Sequence, residues 1–244
     1  MKKYKICKIL LVILAIFLCV AFYELLGICV AYKKQPEVSN TTKKETKNGS
    51  WNECSENTER AVIIEKNPEA LLQRVRLIKN AKKEIILSTF AFQSDESGKL
   101  ILGALHDAAD RGVHIRLLVD GMESWIDMEG NPYFYGLSSH ENVEIKLYNK
   151  ANPLKPWKMM GRMHDKYLIA DGKRYILGGR NTYNYFLGDF PGHKNYDRDV
   201  LVVCDEPEKE NSVNQLLEYF ETIWEQEDSG YFHDNKKLAN RKSV

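Results

Sequence analysis

The amino-acid sequence predicts an α/β domain whose sheet is largely buried, preceded by one long apolar helix. Short apolar segments of strand length alternate along residues 83–120 with a segment whose apolar residues recur at helical spacing. Because the strands are mostly apolar, helices are expected to cover both faces of the sheet. A separate run from Ile9 to Ala31 is apolar except for Glu24 and predicts the preceding helix.

The N-terminal run is long enough to cross a membrane. At about 1.5 Å per residue, a helix over residues 9–31 is roughly 34 Å long, which spans a bilayer core. Lysines are concentrated in residues 1–8, and such positive charge stays on the cytoplasmic side. We therefore expect a cytoplasmic segment at 1–8, a transmembrane anchor at 9–31, and a single-pass cell-membrane protein whose remaining chain is extracytoplasmic. A cleaved signal peptide is the alternative, although its apolar region is usually about 7–15 residues long.

Composition divides the remaining chain into three parts. Residues 32–60 are rich in Lys, Glu, Thr, Asn and Ser and predict a polar tether. A folded domain is expected at 61–235 and a polar tail at 236–244. The net charge of +1 gives the whole molecule no bulk attraction to polyanions. Five cysteines exclude a disulfide scaffold, and the pairing of Cys54 with Cys204 stays open.

Apolar periodicity and turn residues place each element of the domain in turn. Pro68 suits the first turn of a helix, and Gly112 stops another helix before the next strand. Residues 122–142 and 149–162 contain Gly, Pro and Asn and are expected to be irregular. The expected elements are a helix at 68–80, a strand at 83–92, a helix at 98–111, strands at 113–120, 143–148, 167–170, 175–177 and 199–204, and a helix at 212–226.

Side chains suited to a phosphoryl group are concentrated in residues 164–181, HDKYLIADGKRYILGGRN. His164 and Lys166 are two residues apart at the start of a strand, so both project from the same face. Asn181 follows Gly179 at the end of the next strand, where glycine allows close backbone approach. Ammonium and carboxamide groups donate hydrogen bonds to phosphoryl oxygens, while a neutral imidazole attacks phosphorus. The pattern predicts a phosphate site formed by Lys166, Asn181 and Gly179.

The spacing H-x-K-x4-D followed by G-[GS]-x-N, within residues 158–185, resembles the signature of the phospholipase D superfamily. The resemblance implies a phospholipase D-like sandwich with a mixed, largely buried sheet flanked by helices. It implies a reaction without metal or other cofactor, in which one His forms a phosphohistidine and a second His protonates the leaving group. His164 is then the nucleophile, Lys166 and Asp171 complete the catalytic set, and Asp171 orders the site. A tight turn before Gly172 is the alternative reason for Asp171.

The segment YDRDVLV at residues 196–202 resembles the acidic segment of the same superfamily. In that family an acidic residue accepts a hydrogen bond from the nucleophilic His. The spacing favours Asp197 as the residue that orients His164, with Asp199 as the second candidate. Surface charge beside a strand is the alternative interpretation of both carboxylates.

The sequence contains one copy of the motif, whereas two copies normally form one site in this superfamily. The resemblance therefore implies either a homodimer or a missing second motif-bearing half. Similarity to cardiolipin-synthase-like members implies a phospholipid substrate, a membrane location, and phosphodiester hydrolysis or phosphatidyl transfer. A nuclease acting on nucleic acid and an inactive half-domain that needs a partner are the alternatives.

Residues 150–162, KANPLKPWKMMGR, lead directly into the motif and combine basic residues with Trp157, Met159 and Met160. Basic groups attract anionic head groups, and Trp and Met enter the membrane interface. The alternatives are a loop whose Trp and Met pack inward and a loop that binds a nucleic-acid backbone.

Overall fold

The structure is a computed structural model that describes residues 2–31, 39–40, 43–44, 59–205 and 211–232. The chain divides into two compact units. The helical unit comprises Met1–Ser55 and Ala151–Gly161, and the sheet unit comprises Glu56–Lys150 and Arg162–Val244. Cys54, the predicted tail and most of the predicted tether lie outside the described residues.

The helical unit is built on one long helix, α1 (Lys2–Ala31). Its part from Tyr4 to Ala31 is long and apolar enough to cross a membrane, and its most apolar stretch contains no buried residue. The predicted helix over 9–31 is confirmed. The segment Ala151–Gly161 packs against the last turns of this helix and contains a short 3₁₀ turn at Pro156–Lys158.

Eight strands of the described chain form one sheet. They are β1 (Glu59–Ile64), β2 (Glu84–Thr89), β3 (His114–Asp120), β4 (Val143–Tyr148), β5 (Lys166–Ala170), β6 (Arg174–Gly178), β7 (Asp199–Cys204) and β8 (Ser229–Tyr231). The order across the sheet is β1-β7-β6-β5-β2-β3-β4-β8. β3 pairs in parallel with β2 and β4, and the other neighbours are antiparallel. The sheet is therefore mixed, as expected.

Helices cover both faces of the sheet. In the described part of the sheet unit they are α2 (Asn67–Asn80), α3 (Glu96–Asp110), α4 (Gly121–Asp127), α5 (Pro132–Ser138) and α6 (Ser212–Trp224). Ile85 and Leu87 of β2 join one buried cluster that includes Leu105 of α3. Ile86, between them, points to the other face and joins the cluster of Phe220 on α6. Burial on both faces confirms the predicted α/β sandwich.

The predicted helices and strands of the domain form within three residues of their expected ends. The expectation of irregular chain at 122–142 is wrong, because α4 and α5 form there. The Asp120 side chain caps α4 by accepting a hydrogen bond from the Met122 nitrogen over 3.0 Å. Asn131 caps α5 immediately before Pro132, whose ring suits the first helical position.

Two edge strands are absent from the sequence-based prediction. β1 begins at Glu59, inside the predicted tether, and pairs with β7 with Glu59 opposite Cys204. Four of its six residues are exposed, so it lacks the apolar run that marks the central strands. β8 is three residues long and pairs with β4 at the other side of the sheet. Cys204 is buried and its thiol is free.

Candidate functional site

The chain segments that carry the motif meet at one end of the central strands of the sheet. β2 and β3 end there, at Thr89 and Asp120. The antiparallel strand β5 begins at the same edge, where Lys166 pairs with Thr89, and His164 lies two residues before it. β6 ends and β7 begins beside them. Ligands of open α/β folds bind outside the carboxyl ends of the parallel strands, which is where these side chains lie.

Phe90, the residue after β2, is surrounded by three basic side chains. The His164 ring packs edge-on against it, with ring centroids 4.6 Å apart. Lys166 Nζ lies 5.3 Å and Arg162 Cζ 5.1 Å from the Phe90 ring centroid. An aromatic face stabilises nearby cations, so the ring helps to hold positive groups together without neutralising them. The arrangement concentrates positive charge at the nucleophile predicted from the sequence.

Lys166 is a largely buried cation. Its side chain is 6% exposed, and Nζ donates a hydrogen bond to the His164 carbonyl oxygen over 2.7 Å. Burial lowers the pKa of the Lys166 ammonium, while the charges of Asp165 and Asp197 act in the opposite direction. Because burial removes most of the hydration of the Lys166 ammonium, an anion that binds beside it is strongly stabilised.

His164 is exposed at the edge of the site. Desolvation lowers the pKa of its imidazole, and the positive charge of Lys166 lowers it further. Asp165 and Asp120 raise this pKa by a smaller amount. The net lowering favours the neutral imidazole near neutral pH, and that form carries the lone pair for attack on phosphorus.

Asp120, at the end of β3, fixes the two residues that precede His164. Its buried carboxylate accepts hydrogen bonds from Arg162 Nε over 2.9 Å and from the Met163 nitrogen over 3.1 Å. Sequence reasoning did not select Asp120 or Phe90, and it took Arg162 only as one of the basic residues of the 150–162 segment. An acid that ends a mostly apolar strand, and an Arg two residues before the motif His, were the available signals.

Asn181 and Gly179 lie at the same edge, after β6. Asn181 is buried, and its Oδ1 accepts a hydrogen bond from the Ala91 nitrogen over 3.3 Å, which ties it to the chain after β2. At Gly179 an added Cβ would overlap the Asp197 carboxylate. The missing side chain of Gly179 thus admits Asp197 to the site.

Asp197 lies beside Lys166, whose pKa it raises. Its Oδ1 accepts a hydrogen bond from the adjacent Arg198 nitrogen over 2.7 Å. Within the described residues, no hydrogen bond joins Asp197 to His164. The structure therefore brings Asp197 into the charge environment of the site, while its predicted role of orienting His164 stays a prediction.

Asp199, the second candidate for orienting His164, is occupied elsewhere. Its buried Oδ2 lies 2.9 Å from Arg74 Nη1 and 3.2 Å from Arg180 Nη1. Arg180 also donates to the Glu65 carbonyl oxygen over 2.7 Å and to Asn67 Oδ1 over 3.1 Å. Because Arg180 stands between Gly179 and Asn181, this buried ion cluster holds the second half of the motif in place.

Asp171 and His164 lie at opposite ends of strand β5. The five residues of β5, about 17 Å of extended chain, separate the two ends. The Asp171 carboxylate accepts hydrogen bonds from the backbone nitrogens of Lys83, over 2.7 Å, and Glu84, over 3.1 Å. Its φ of 54° forms the turn into β6. The structure does not bring Asp171 to the other motif residues, and its contacts join the β5–β6 turn to the start of β2.

The sequence matches a family model described as the PLD-like domain of cardiolipin synthase over residues 74–224, which include the whole motif. Cardiolipin synthase C of Escherichia coli (strain K12) is 29% identical over 171 residues, covering 64% of this chain and 34% of that protein. Cardiolipin synthase 1 of Staphylococcus aureus (strain MRSA252) is 34% identical over 117 residues, covering 48% of this chain and 23% of that protein. The chain spans about a third or less of the length of these curated relatives.

Solved structures share the fold of the sheet unit. Nuc, a phospholipase D family member from Salmonella typhimurium, matches with a TM-score of 0.51 at 20% identity, covering 72% of this chain and 99% of that chain. Phosphatidylserine synthase of Haemophilus influenzae Rd KW20 matches with a TM-score of 0.58 at 17% identity, covering 83% of this chain and 46% of that chain. Because the family model covers more than half of the sequence, the chain belongs to the phospholipase D superfamily, in the family of the cardiolipin synthase PLD-like domain.

Proposed function

We propose that the chain is a membrane-anchored enzyme that hydrolyses or transfers the phosphodiester of a phospholipid through a phosphohistidine on His164. The observation that carries the proposal is an exposed imidazole of lowered pKa beside the buried ammonium of Lys166, both against Phe90. Such a pair offers a nucleophile and a charge that stabilises phosphoryl oxygens. The cardiolipin synthase relatives support a lipid substrate.

In the first step a nitrogen of neutral His164 attacks phosphorus, and the bond from phosphorus to the leaving alcohol oxygen breaks. An acid on the opposite side of phosphorus gives its proton to that oxygen. In the second step water or an acceptor alcohol attacks phosphorus, the phosphorus–nitrogen bond breaks, and the former acid takes the incoming proton. Water gives hydrolysis, and an alcohol gives phosphatidyl transfer.

Two groups of this chain bind the phosphate in the proposal. Lys166 supplies positive charge to the non-bridging oxygens, since the one hydrogen bond of its Nζ among the described residues goes to a carbonyl oxygen. Asn181 uses Oδ1 for the Ala91 nitrogen, so its Nδ2 group is the donor toward a phosphate. Arg162 forms an ion pair with Asp120. In the proposal it therefore positions the chain before His164 and contributes little to substrate binding.

The acid comes from a second copy of the motif, because this sequence has one and a single imidazole cannot work on both sides of phosphorus. We propose that a second copy of this chain supplies it, in a homodimer in which two His164 side chains face one phosphate. A separate motif-bearing half would supply the same group. In the proposal, helix α1 anchors the enzyme in the cell membrane, with residues 1–8 cytoplasmic and the sheet unit extracytoplasmic.

The test is turnover by the full chain in vesicles of phosphatidylglycerol and phosphatidylcholine. Lipid products are measured by mass spectrometry for the wild type, His164→Ala and the control His106→Ala, which removes a half-buried His paired with Asp110. We expect His164→Ala to lose about a thousandfold or more in rate and His106→Ala to keep the wild-type rate. Activity should persist in a chelator, because His, Lys and Asn perform the steps.

The outcomes separate the alternatives. Equal rates for His164→Ala and the wild type would contradict the proposed nucleophile. Loss of more than about tenfold in the chelator, restored by a divalent ion, would contradict the metal-free reaction. Cleavage of a single-stranded oligonucleotide without lipid turnover would replace the lipid substrate by nucleic acid.

A further inference from the structure

The segment Ala151–Gly161, which we call the 151–161 loop, is attached to helix α1 by two kinds of contact. Tyr23 Oη donates a hydrogen bond to the Leu154 carbonyl oxygen over 3.0 Å. Pro156 is buried and packs on Gly27, where an added Cβ would overlap the proline ring. The helix has a small residue at the point where the loop lies on it, so the contact depends on close backbone approach.

Apart from the half-buried Met159, the other side chains of the 151–161 loop are exposed. Leu154 is 77% exposed, Trp157 46% and Met160 44%, and the lysines Lys155 and Lys158 are exposed between them. The alternative in which Trp157 packs inward is therefore wrong. Exposed apolar side chains interleaved with lysines are the composition of a segment that enters an anionic membrane interface.

The helix indicates the depth at which the loop lies. A hydrocarbon core of about 30 Å takes up about 20 residues of helix, so a core that begins after Lys8 ends near Ile28 of α1. Tyrosines are enriched at membrane–water interfaces, and Glu24 follows Tyr23 directly. Tyr23 and Gly27, the residues that hold the loop, thus fall within about 8 Å of the end at which α1 leaves the hydrocarbon core.

We propose that the 151–161 loop is a membrane-interface segment, in which Leu154 and Trp157 insert among the head groups and Lys155 and Lys158 pair with anionic lipid phosphates. This inference rests on the assignment of α1 as a membrane anchor in the proposed function. Two residues, Arg162 and Met163, separate Gly161 from His164 along the chain.

The experiment measures Trp fluorescence of the full chain in vesicles of phosphatidylglycerol and phosphatidylcholine, with and without bromine at the 6 and 7 positions of the acyl chains. Bromine quenches a Trp at the interface by contact. The variants are Trp157→Phe and, as the matched control, Trp125→Phe, which removes a Trp that is 66% exposed in the sheet unit. We expect bromolipid to quench wild-type emission, with Trp157→Phe lowering the quenched fraction about twofold and Trp125→Phe leaving it unchanged or higher.

Quenching that falls no more in Trp157→Phe than in Trp125→Phe would overturn the interface assignment. Release of the wild-type chain by alkaline washing would overturn it as well, because the anchor would be lost. Hydrolysis of bis(p-nitrophenyl) phosphate by the same wild-type vesicles reports separately on the proposed chemistry. Catalysis without Trp157 quenching refutes the loop alone, and quenching without catalysis refutes the chemistry alone.

Discussion

Arg162 Nε lies 2.9 Å from Asp120 Oδ1 and 3.0 Å from Asp120 Oδ2. A carboxylate at the end of β3 thus binds the side chain of the residue that lies two positions before His164. The same carboxylate receives the Met163 backbone hydrogen bond. Asp120 is 44 positions earlier in the sequence than His164 and is absent from the linear motif. It is a positioning residue, and its charge also raises the pKa of His164.

Replacing Asp120 by Asn should lower kcat by about tenfold, because Arg162 loses its counter-charge and the approach to His164 loosens. The pKa of His164 should also fall, since a negative charge that raises it is gone. The acid limb of the kcat/KM profile then moves to lower pH. The measurement is hydrolysis of bis(p-nitrophenyl) phosphate from about pH 4 to 9. Asp110→Asn, which removes an exposed carboxylate that pairs with His106 and His140, is the control. An Asp120→Asn profile identical to the wild type would refute the role.

Replacing Lys166 by Gln should raise the pKa of His164, because the positive charge that lowers it is removed. The rate should fall by about a hundredfold or more through loss of phosphate stabilisation. The pKa is read from NMR titration of isotope-labelled His in the full chain in detergent. Lys173→Gln, an exposed Lys in the β5–β6 turn, should leave it unchanged. A His164 pKa that stays or falls in Lys166→Gln contradicts the electrostatic account.

Replacing Asp171 by Ala should reduce stability and spare catalysis. The backbone nitrogens of residues 82–84 lose their acceptor, which costs about 1–3 kcal/mol and lowers Tm by about 3–10 °C. Asp171→Asn retains an acceptor and tolerates the positive φ, so it should lose less. Thermal denaturation and the rate per folded molecule check this. A rate loss of the size expected for His164→Ala, with unchanged Tm, would return Asp171 to the catalytic set.

A shared site in a homodimer should make activity fall with the square of the wild-type fraction. An equal mixture of wild-type and His164→Ala chains, after subunit exchange in detergent, should keep about a quarter of the wild-type rate, because mixed dimers lack one imidazole. A mixture with His106→Ala should keep the full rate. Retention of half the rate in the first mixture would show that each chain works alone.

The central strands were predictable because their burial leaves a continuous apolar record in the sequence. The side chains from Ile85 to Leu87 are buried on both faces of the sheet, and this apolar composition alone predicts a strand. β1 leaves no such record, since most of its side chains face solvent and its existence depends on pairing with β7. Helix α4 was missed for a similar reason: seven residues show little periodicity, and its start is set by the cap at Asp120.

The site was predictable where residues close in sequence are close in space. His164 and Lys166 share one strand start, and both lie against Phe90, which agrees with the shared face that their spacing predicted. The same logic failed to foresee the separation of Asp171, because a five-residue strand carries it to the opposite edge. Asp120 joins the site through sheet pairing, which spacing along the chain does not reveal.

The pairing of β1 with β7 has a consequence for folding during synthesis of the chain. Glu59 precedes Asp199 by 140 residues, yet their strands lie side by side at one margin of the sheet. At typical synthesis rates the first strand waits about 7–30 s for its partner. Until then the backbone groups of β1 that pair with β7 have no strand partner. Strand β1 can therefore be paired only after residues 199–204 have been made, so this margin of the sheet forms late in synthesis.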